Sequence, residues 1–276
     1  MADSSQPSRP LITVSGLTVS LGRPSTTVVG NVGFAIHDRE IIGIAGESGS
    51  GKSVTALSLA RLLPPGARAR YAGDVRLRGI SGNLLQASEQ ALRRIRGNRL
   101  GYIFQEPSTS FNPVFTILDH LTEILHCAGI PPDRRRERVS RAMREVGLLS
   151  DEATLRAYPG DFSGGMLQRA AIACALLGAP ELLIADEPTT ALDTSTQRTI
   201  VDLLVRLNHD RGMAVLFISH DLGLLKEICT RLLVMRKGAV VESGKTAEVL
   251  ARPHHPYTRN LLQDLPKLRL RPGRPA

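Results

Sequence analysis

The sequence has no tryptophan, and all its aromatic residues together make up only 4% of the chain. Surfaces that bind nucleic acid by stacking need aromatic rings in some density, so this scarcity speaks against a nucleic-acid-binding module. Long apolar runs are missing too. The best of them, around Ile41 to Ala45, stops at glycine and charge, far short of the roughly 18 residues that a membrane-spanning helix requires. Cysteine is sparse: Cys127, Cys174 and Cys229 lie far apart with no paired spacing, which argues against a disulfide framework and a thiolate zinc site and predicts reduced, mostly buried thiols. The opening MADSSQPSRP has no apolar stretch of the secretory type, so export is not expected and a cytoplasmic chain is.

Positive charge, by contrast, is plentiful. Thirty-five Lys and Arg against 26 Asp and Glu leave a formal net charge of +9, which suits nucleic acid, a membrane surface or a phosphorylated ligand equally. Much of the excess sits in two stretches. The arginines at 134, 135, 136, 138, 141 and 144 interleave with Val139, Ala142, Met143 and Val146, an i, i+3, i+4, i+7 stripe that predicts the solvated side of an amphipathic helix. The second is the tail with Lys267, Arg269, Arg271 and Arg274.

Between Leu11 and Ile42 apolar residues alternate, broken by Gly-Arg-Pro and Gly-Asn, which predicts short antiparallel strands. A strand IIGIA, a glycine-rich turn and a helix from Ser53 to Leu63, ended by Pro64-Pro65, follow. Further strands are expected at 99–104, 182–186, 214–219, 231–235 and 239–243, with helical segments between several of them, so the core reads as a largely parallel α/β sheet. From Phe111 to Ala175 the pattern is helical, which predicts a helical lobe inserted into the sheet domain.

Residues 46–53 read GESGSGKS, the phosphate-binding pattern G-x-x-x-x-G-K-[ST] placed after a strand and before a helix. Gly46, Glu47, Ser48, Gly49, Ser50, Gly51, Lys52, Ser53 and Val54 are therefore candidate nucleotide-binding residues. Glycines let successive N–H groups turn toward phosphate oxygens, the helix adds its positive end, Lys52 brings a full charge, and the Ser53 hydroxyl is a hard ligand suited to Mg²⁺. The apolar run LLIADE ends in two carboxylates that alternate faces of a strand: Asp186 is the candidate magnesium partner and Glu187 the candidate general base.

Those two motifs alone fit many P-loop NTPases. FSGGMLQR (162–169) distinguishes among them, because it resembles the signature of ATP-binding cassette (ABC) proteins, here with Phe162 where leucine is commoner. Gln105 in GYIFQEP, Asp193 in TTALD and His220 in FISHD stand in the order of that family's glutamine loop, D-loop and switch histidine. The resemblance spans about residues 11–250. It implies a P-loop NTPase cassette of the ABC type: α/β, with a mixed RecA-like sheet, an antiparallel β subdomain and an inserted α-helical lobe. It implies ATP hydrolysis with Mg²⁺, with Glu187, His220, Gln105 and Lys52 catalytic, and Ser53, Gln105 and Asp186 around the metal. It also implies a head-to-tail dimer with a second cassette, identical or related, whose phosphate site is completed by Ser163, Gly164 and Gly165, with Asp193 near the dimer seam and Gln168 and Asp193 counted among the nucleotide-binding residues. One departure stands out: the family's adenine-stacking aromatic falls on Leu21, which puts base selectivity in question.

Within the family, EPSTSFNPVFTILDHLTEIL, SGGMLQR, DEPTTALD and the ending RPHHPYTRNLLQDLP resemble the peptide and nickel importer branch. PHHPYT is the segment that neither ATP binding nor sheet formation calls for. The resemblance implies a subunit at the cytoplasmic face of the inner or plasma membrane, docked on integral-membrane permease subunits fed by an extracellular substrate-binding protein. Residues 251–276 would be an extension of the peptide-importer type. The cargo it implies first is a di- or oligopeptide, with nickel or a metal chelate as the alternative within the same branch. A soluble ABC ATPase acting on nucleic acid is disfavoured by the absence of a coiled coil and of a second cassette, and a non-hydrolytic cassette by the presence of Glu187 and His220.

Overall fold

The computed structural model describes residues 9–263, apart from Ala191. The basic tail 267–274 lies outside the described residues. Strands β1 (Ile12–Leu21) and β2 (Thr26–Ile36) form an antiparallel pair, and β4 (Arg70–Leu77) joins on the free side of β1 to give the order β2-β1-β4. The Gly-Arg-Pro segment is the hairpin turn between β1 and β2, as expected. The Gly-Asn segment, expected to be a second turn, stays inside β2, so that two long strands stand where short ones were expected. Asn31, with φ 53°, sits among the register shifts of the β1–β2 pair, and its N–H donates to Thr18 Oγ1 at 3.1 Å. A bulge absorbs the extra residues and lets the strand continue. Strand β4 has no counterpart in the expectations. Its RYAGDVRL is charged and glycine-interrupted, the composition of a solvated edge strand that hydropathy does not reveal.

The larger sheet has the order β5-β6-β7-β3-β8-β9, with β5 (Leu100–Ile103), β6 (Leu182–Asp186), β7 (Ala214–Ile218), β3 (Ile41–Ala45) and β8 (Arg231–Arg236) parallel and β9 (Ala239–Lys245) antiparallel at the edge. The central strands β3, β6 and β7 are buried throughout, which is why they read as unbroken apolar runs. Their alternation divides two cores. Ile42, Ile44, Leu182, Ile184, Leu216 and Ile218 pack toward the antiparallel sheet and α1 (Lys52–Leu59). Ala45, Leu183, Ala185, Val215 and Phe217 pack toward the helices of the opposite face. Burying such side chains contributes about 1.5–3 kcal/mol each, so both layers help hold the sheet in place.

Helix α1 ends four residues earlier than Pro64 suggests. Arg61 takes a left-handed φ of 50°, Leu62 N–H donates to Leu57 O, and Arg61 N–H donates to Ser58 O, a Schellman-type stop that acts before the prolines are reached. Helix α2 (Glu89–Ile95) precedes β5. Between β5 and β6 lie α3 (Pro107–Ser110), α4 (Ile117–Cys127), α5 (Pro132–Glu145), α6 (Glu152–Arg156) and α7 (Gly164–Leu176). On α5 the expected stripe is inward: Val139, Ala142 and Met143 are buried and the arginines at 134, 136, 138, 141 and 144 exposed. Helices α8 (Thr194–Arg211), α9 (Leu222–Ile228), α10 (Thr246–Ala251) and α11 (Pro256–Gln263) complete the described chain. The thiols differ from the expectation of general burial: Cys127 is exposed, whereas burial at Cys229 pushes its thiol up to about 12.

Candidate nucleotide site

The strand β3 delivers the chain into a loop whose backbone only glycine can trace. At Gly46 φ is 152°, and a Cβ there would meet Met235 O at 2.3 Å; at Gly51, the residue before α1, φ is 100°. These conformations are what an L side chain resists, so the glycines at these places are structural requirements of the cradle. The loop passes over Lys52, which is 4% exposed, with Nζ donating to Gly46 O at 2.8 Å and Glu47 O at 2.9 Å. Burial lowers the Lys52 ammonium below its ordinary range, against the attraction of Glu187 and Asp186.

Strand β6 ends beside this loop with Asp186, one of the few buried carboxylates. Ser53 Oγ donates to Asp186 Oδ1 and Tyr102 OH to Oδ2, each at 2.9 Å. Burial raises the Asp186 carboxyl above its usual range, although both hydrogen bonds and Lys52 oppose the shift, and burial together with Asp186 raises the Tyr102 phenol. A desolvated carboxylate with hydroxyl oxygens around it is suited to a hard divalent cation. Among the described residues no group of three or more His, Cys, Asp or Glu could hold a metal by itself.

Glu187 is held in the left-handed region with φ 46°, a conformation uncommon for a non-glycine residue and associated with functional sites. Its N–H donates to Ile218 O at 3.0 Å, which ties the turn to β7. The carboxylate collects the other catalytic candidates, Lys52, Gln105 and His220. Oε1 lies 3.7 Å from Lys52 Nζ, and Oε2 lies 3.2 Å from His220 Nδ1, 3.5 Å from Gln105 Nε2 and 3.0 Å from the Thr190 hydroxyl that donates to it. Gln105 and His220 are exposed at the ends of β5 and β7, so they reach Glu187 from the solvent side. Parallel strands bring their carboxyl ends to one edge, which is where ligands bind in open α/β sheets.

The signature residues stand apart from this cluster. Ser163 caps α7 by accepting from Met166 N–H at 3.3 Å, and Ser163 and Gly164 are exposed. Among the described residues no hydrogen bond joins Ser163, Gly164 or Gly165 to residues 46–53. Asp193 caps α8, accepting from the Ser195 hydroxyl and from the N–H groups of Ser195 and Thr196, and these bonds, the one from the Ser195 hydroxyl foremost, hold its carboxyl well below the usual range. Gln168 stands differently from Ser163 and Gly164. It faces inward on α7 at 1% exposure with Nε2 lacking a partner, because its position falls on the packed side of the helix beside Leu167. Met166, exposed two residues earlier, occupies the open face in its place. Val54 and Leu21 are both partly buried against the core beneath the antiparallel sheet.

Three residues of the site were not singled out from the sequence: Tyr102, Thr190 and Tyr257. Tyr102 and Thr190 lie inside quoted motifs, but only the pairing of β5 with β6, with Tyr102 opposite Ile184, brings the phenol to Asp186.

Residues 29–190 match the ABC transporter family model, and residues 241–274 match the oligopeptide/dipeptide transporter C-terminal region. The chain is 46% identical over 245 residues to a probable peptide ABC transporter ATP-binding protein of Sinorhizobium fredii, covering 88% of this chain and 72% of the relative. It is 45% identical over 266 residues to a putative peptide import ATP-binding protein of Brucella ovis, covering 94% and 79%. Among solved structures, a dimeric ATP-binding cassette in a post-hydrolysis state bound to ADP and Pi is similar with a TM-score of 0.73 at 27% identity, covering 85% of this chain and 98% of that one. With a glycine cradle, a carboxylate pair and a signature helix in this order, and with relatives at this level of identity, the chain belongs to the ABC transporter family as an ATP-binding subunit that hydrolyses ATP.

Proposed function

We propose that this subunit drives the import of di- or oligopeptides through a membrane permease. The observation that carries the cargo class is the match of residues 241–274 to the oligopeptide/dipeptide transporter C-terminal region, together with relatives described as peptide import ATP-binding proteins. Residues 11–250 form the cassette in this reading and 251–276 its extension.

In the proposed site, the 46–53 loop and Lys52 hold the triphosphate, with Lys52 exchanging the carbonyls of Gly46 and Glu47 for phosphate oxygens. Ser53 and Asp186, with Gln105 from the side, would hold Mg²⁺, which when bound neutralises phosphate charge. Glu187 is the general base: it accepts a proton from the attacking water as the water oxygen bonds to the γ-phosphorus. The bond from that phosphorus to the β–γ bridging oxygen breaks, so that ADP leaves with the bond's electron pair and the γ-phosphoryl group departs as inorganic phosphate. His220 and Gln105, both already at Glu187 Oε2, orient that water, and Thr190 fixes the carboxylate. The exposed start of α7 supplies Ser163, Gly164 and Gly165 to the phosphates of a second cassette. Support comes from the exposure of that helix start and from the dimeric form of a similar solved cassette.

The permease would dock in the cleft between β5 and helices α4 and α7, about 490 Å³ in volume and lined by Ile103, Phe104, Phe111 and Ile124. Beside it Val114 and Phe115 are exposed, 70% and 42%, an unusual cost for a surface that faces only water. Gln105 follows Phe104 directly, so displacement in the cleft reaches Glu187. No helix among the described residues is long and apolar enough to cross a membrane, and the subunit is proposed to sit at the cytoplasmic face of the inner membrane through this contact. The test is uptake by vesicles holding the permease and this subunit, fed by the cognate binding protein. ATP-dependent accumulation of labelled di- or oligopeptide is expected; accumulation of a nickel complex with no peptide uptake would overturn the cargo class.

A further inference from the structure

The PHHPYT segment is the one motif that nucleotide chemistry leaves unused, and it touches the nucleotide loop. It begins past α10 and is pinned to the sheet edge. Glu242 on β9 accepts from His254 N–H at 2.8 Å through Oε1 and from His255 N–H at 3.1 Å through Oε2. Partial burial opposes ionisation of Glu242, yet its hydrogen bonds hold the carboxyl below the usual range. His255 Nδ1 accepts from Tyr257 N–H at 3.1 Å, and Pro256, whose ring suits the first helical position, starts α11.

This start drives Tyr257 inward, to 4% exposure in the core of the helical face. The Arg236 guanidinium lies 4.8 Å from the ring centroid, over the face of the phenol, a cation–π contact that fixes the ring against β8. From there the phenol oxygen accepts the backbone N–H of Glu47 at 3.0 Å, across 210 residues of sequence. Glu47 is thus held on both sides: Tyr257 takes its N–H and Lys52 takes its carbonyl. Next to it, Gly46 is fixed by its close approach to Met235 O. Among the described residues, Tyr257 is the sole side chain beyond β9 that hydrogen-bonds to residues 46–53.

We propose that Tyr257 is a positioning residue for the phosphate loop, through which the C-terminal extension sets the subunit's affinity for nucleotide. A loop rich in glycine loses much conformational freedom when it wraps a triphosphate. Fixing its first arm before the ligand arrives removes part of that loss, so the bond acts on binding rather than on the attacking water, which Glu187, His220 and Gln105 serve at the other end of the site. The Tyr257 contact lies on the N–H side of Glu47 and does not compete when Lys52 leaves the carbonyl for phosphate.

Tyr257→Phe keeps the ring, its burial and the Arg236 contact and removes only the hydroxyl. In the purified full-length chain the Kd for MgATP should rise roughly 3- to 10-fold, the size expected for one neutral hydrogen bond. In the assembled transporter KM for ATP should rise with it while kcat stays within about twofold. Hydrogen exchange supplies a readout that a general role in folding would not move. In the nucleotide-free wild-type chain the Glu47 amide should be better protected than the Ser48 amide, and Tyr257→Phe should erase the difference without altering protection in β3. Arg259→Ala, on the exposed side of the same helix, should leave both nucleotide affinity and Glu47 protection unchanged. An unaltered Kd in Tyr257→Phe, a loss confined to kcat, or a Glu47 amide as labile as Ser48 in the wild type would each overturn the proposal. It rests on nucleotide binding by this loop, and the two fail differently: a wild-type chain that binds no MgATP sinks that reading, whereas equal binding by wild type and Tyr257→Phe sinks only this one.

Discussion

Two helix starts in this molecule can receive phosphate, and they are built in opposite ways. The start of α1 is closed: Lys52 is buried and bonded to its own loop, Ser53 is bonded to Asp186, and Tyr257 holds the entry arm. The start of α7 is open: among the described residues Ser163 is bonded within its own helix alone, and Gly164 faces solvent. Both use the same physics of unpaired N–H groups and helix polarity. One is bonded within the chain that carries it, and the other is an exposed surface that the proposed reading completes with the nucleotide of a second cassette. A chain that hydrolysed ATP fully as a monomer would break this comparison.

The largest effect is expected on the closed side. Glu187→Gln keeps the shape of the turn but removes the basic oxygen, so turnover in the assembled complex should fall about 10²- to 10⁴-fold while MgATP stays bound. Steady-state phosphate release and nucleotide retention on the same preparation check this, and unchanged turnover would remove Glu187 as the base.

A smaller loss, with the opposite distribution, is expected on the open side. A Cβ at Gly165 would lie 2.7 Å from Thr196 Cγ2, so Gly165→Ala must displace that methyl or shift the first turn of α7 against α8. Turnover in the assembly should drop by roughly 10²-fold, as when one preorganised donor to developing charge is lost. The MgATP affinity of the isolated chain should not change. A fall in that affinity would mean that the two starts serve the same nucleotide.

The smallest effect concerns stability and has an unusual sign. Because burial raises the folded-state pKa of Asp186, its carboxyl contributes most to stability when protonated, below its unfolded-state pKa, and that contribution is lost as pH rises through the folded value. Asp186→Asn should therefore raise the melting temperature of the nucleotide-free chain at neutral pH, with the gain shrinking as pH falls through the carboxyl titration. The same variant should lose the Mg²⁺ dependence of nucleotide binding. A lower melting temperature at neutral pH would show that the ionised carboxylate, as it stands between Ser53 and Tyr102, is already well solvated by them.

How far the sequence could be read differs between the same two regions. The closed site was legible because its residues are local: GESGSGKS and LLIADE each carry strand, turn and ligand in one stretch. What escaped was Tyr102, which arrives through the β5–β6 pairing, Tyr257, which arrives through the docking of α11, and Thr190, which only the turn after β6 folds back onto the Glu187 carboxylate. On the open side the motif was found but the burial of Gln168 was not, since its orientation depends on which side of α7 packs on the core. The end of α1 was misplaced for a related reason: Arg61 in a left-handed conformation stops the helix, and nothing in an arginine announces that.

The sequence alone determined the chemistry available to this protein: a glycine loop, a lysine, paired carboxylates, a capped signature helix and a histidine after a strand, because hydrogen-bonding capacity, charge and backbone freedom belong to residue types. The tertiary structure decided which of these meet. Glu187 gathers Lys52, Gln105, Thr190 and His220 only because parallel strands end at one edge, and Tyr257 reaches Glu47 only because a helix start on the far side of the sheet turns its ring inward. Sheet order and helix docking are long-range packing outcomes, and no local pattern in the chain encodes them.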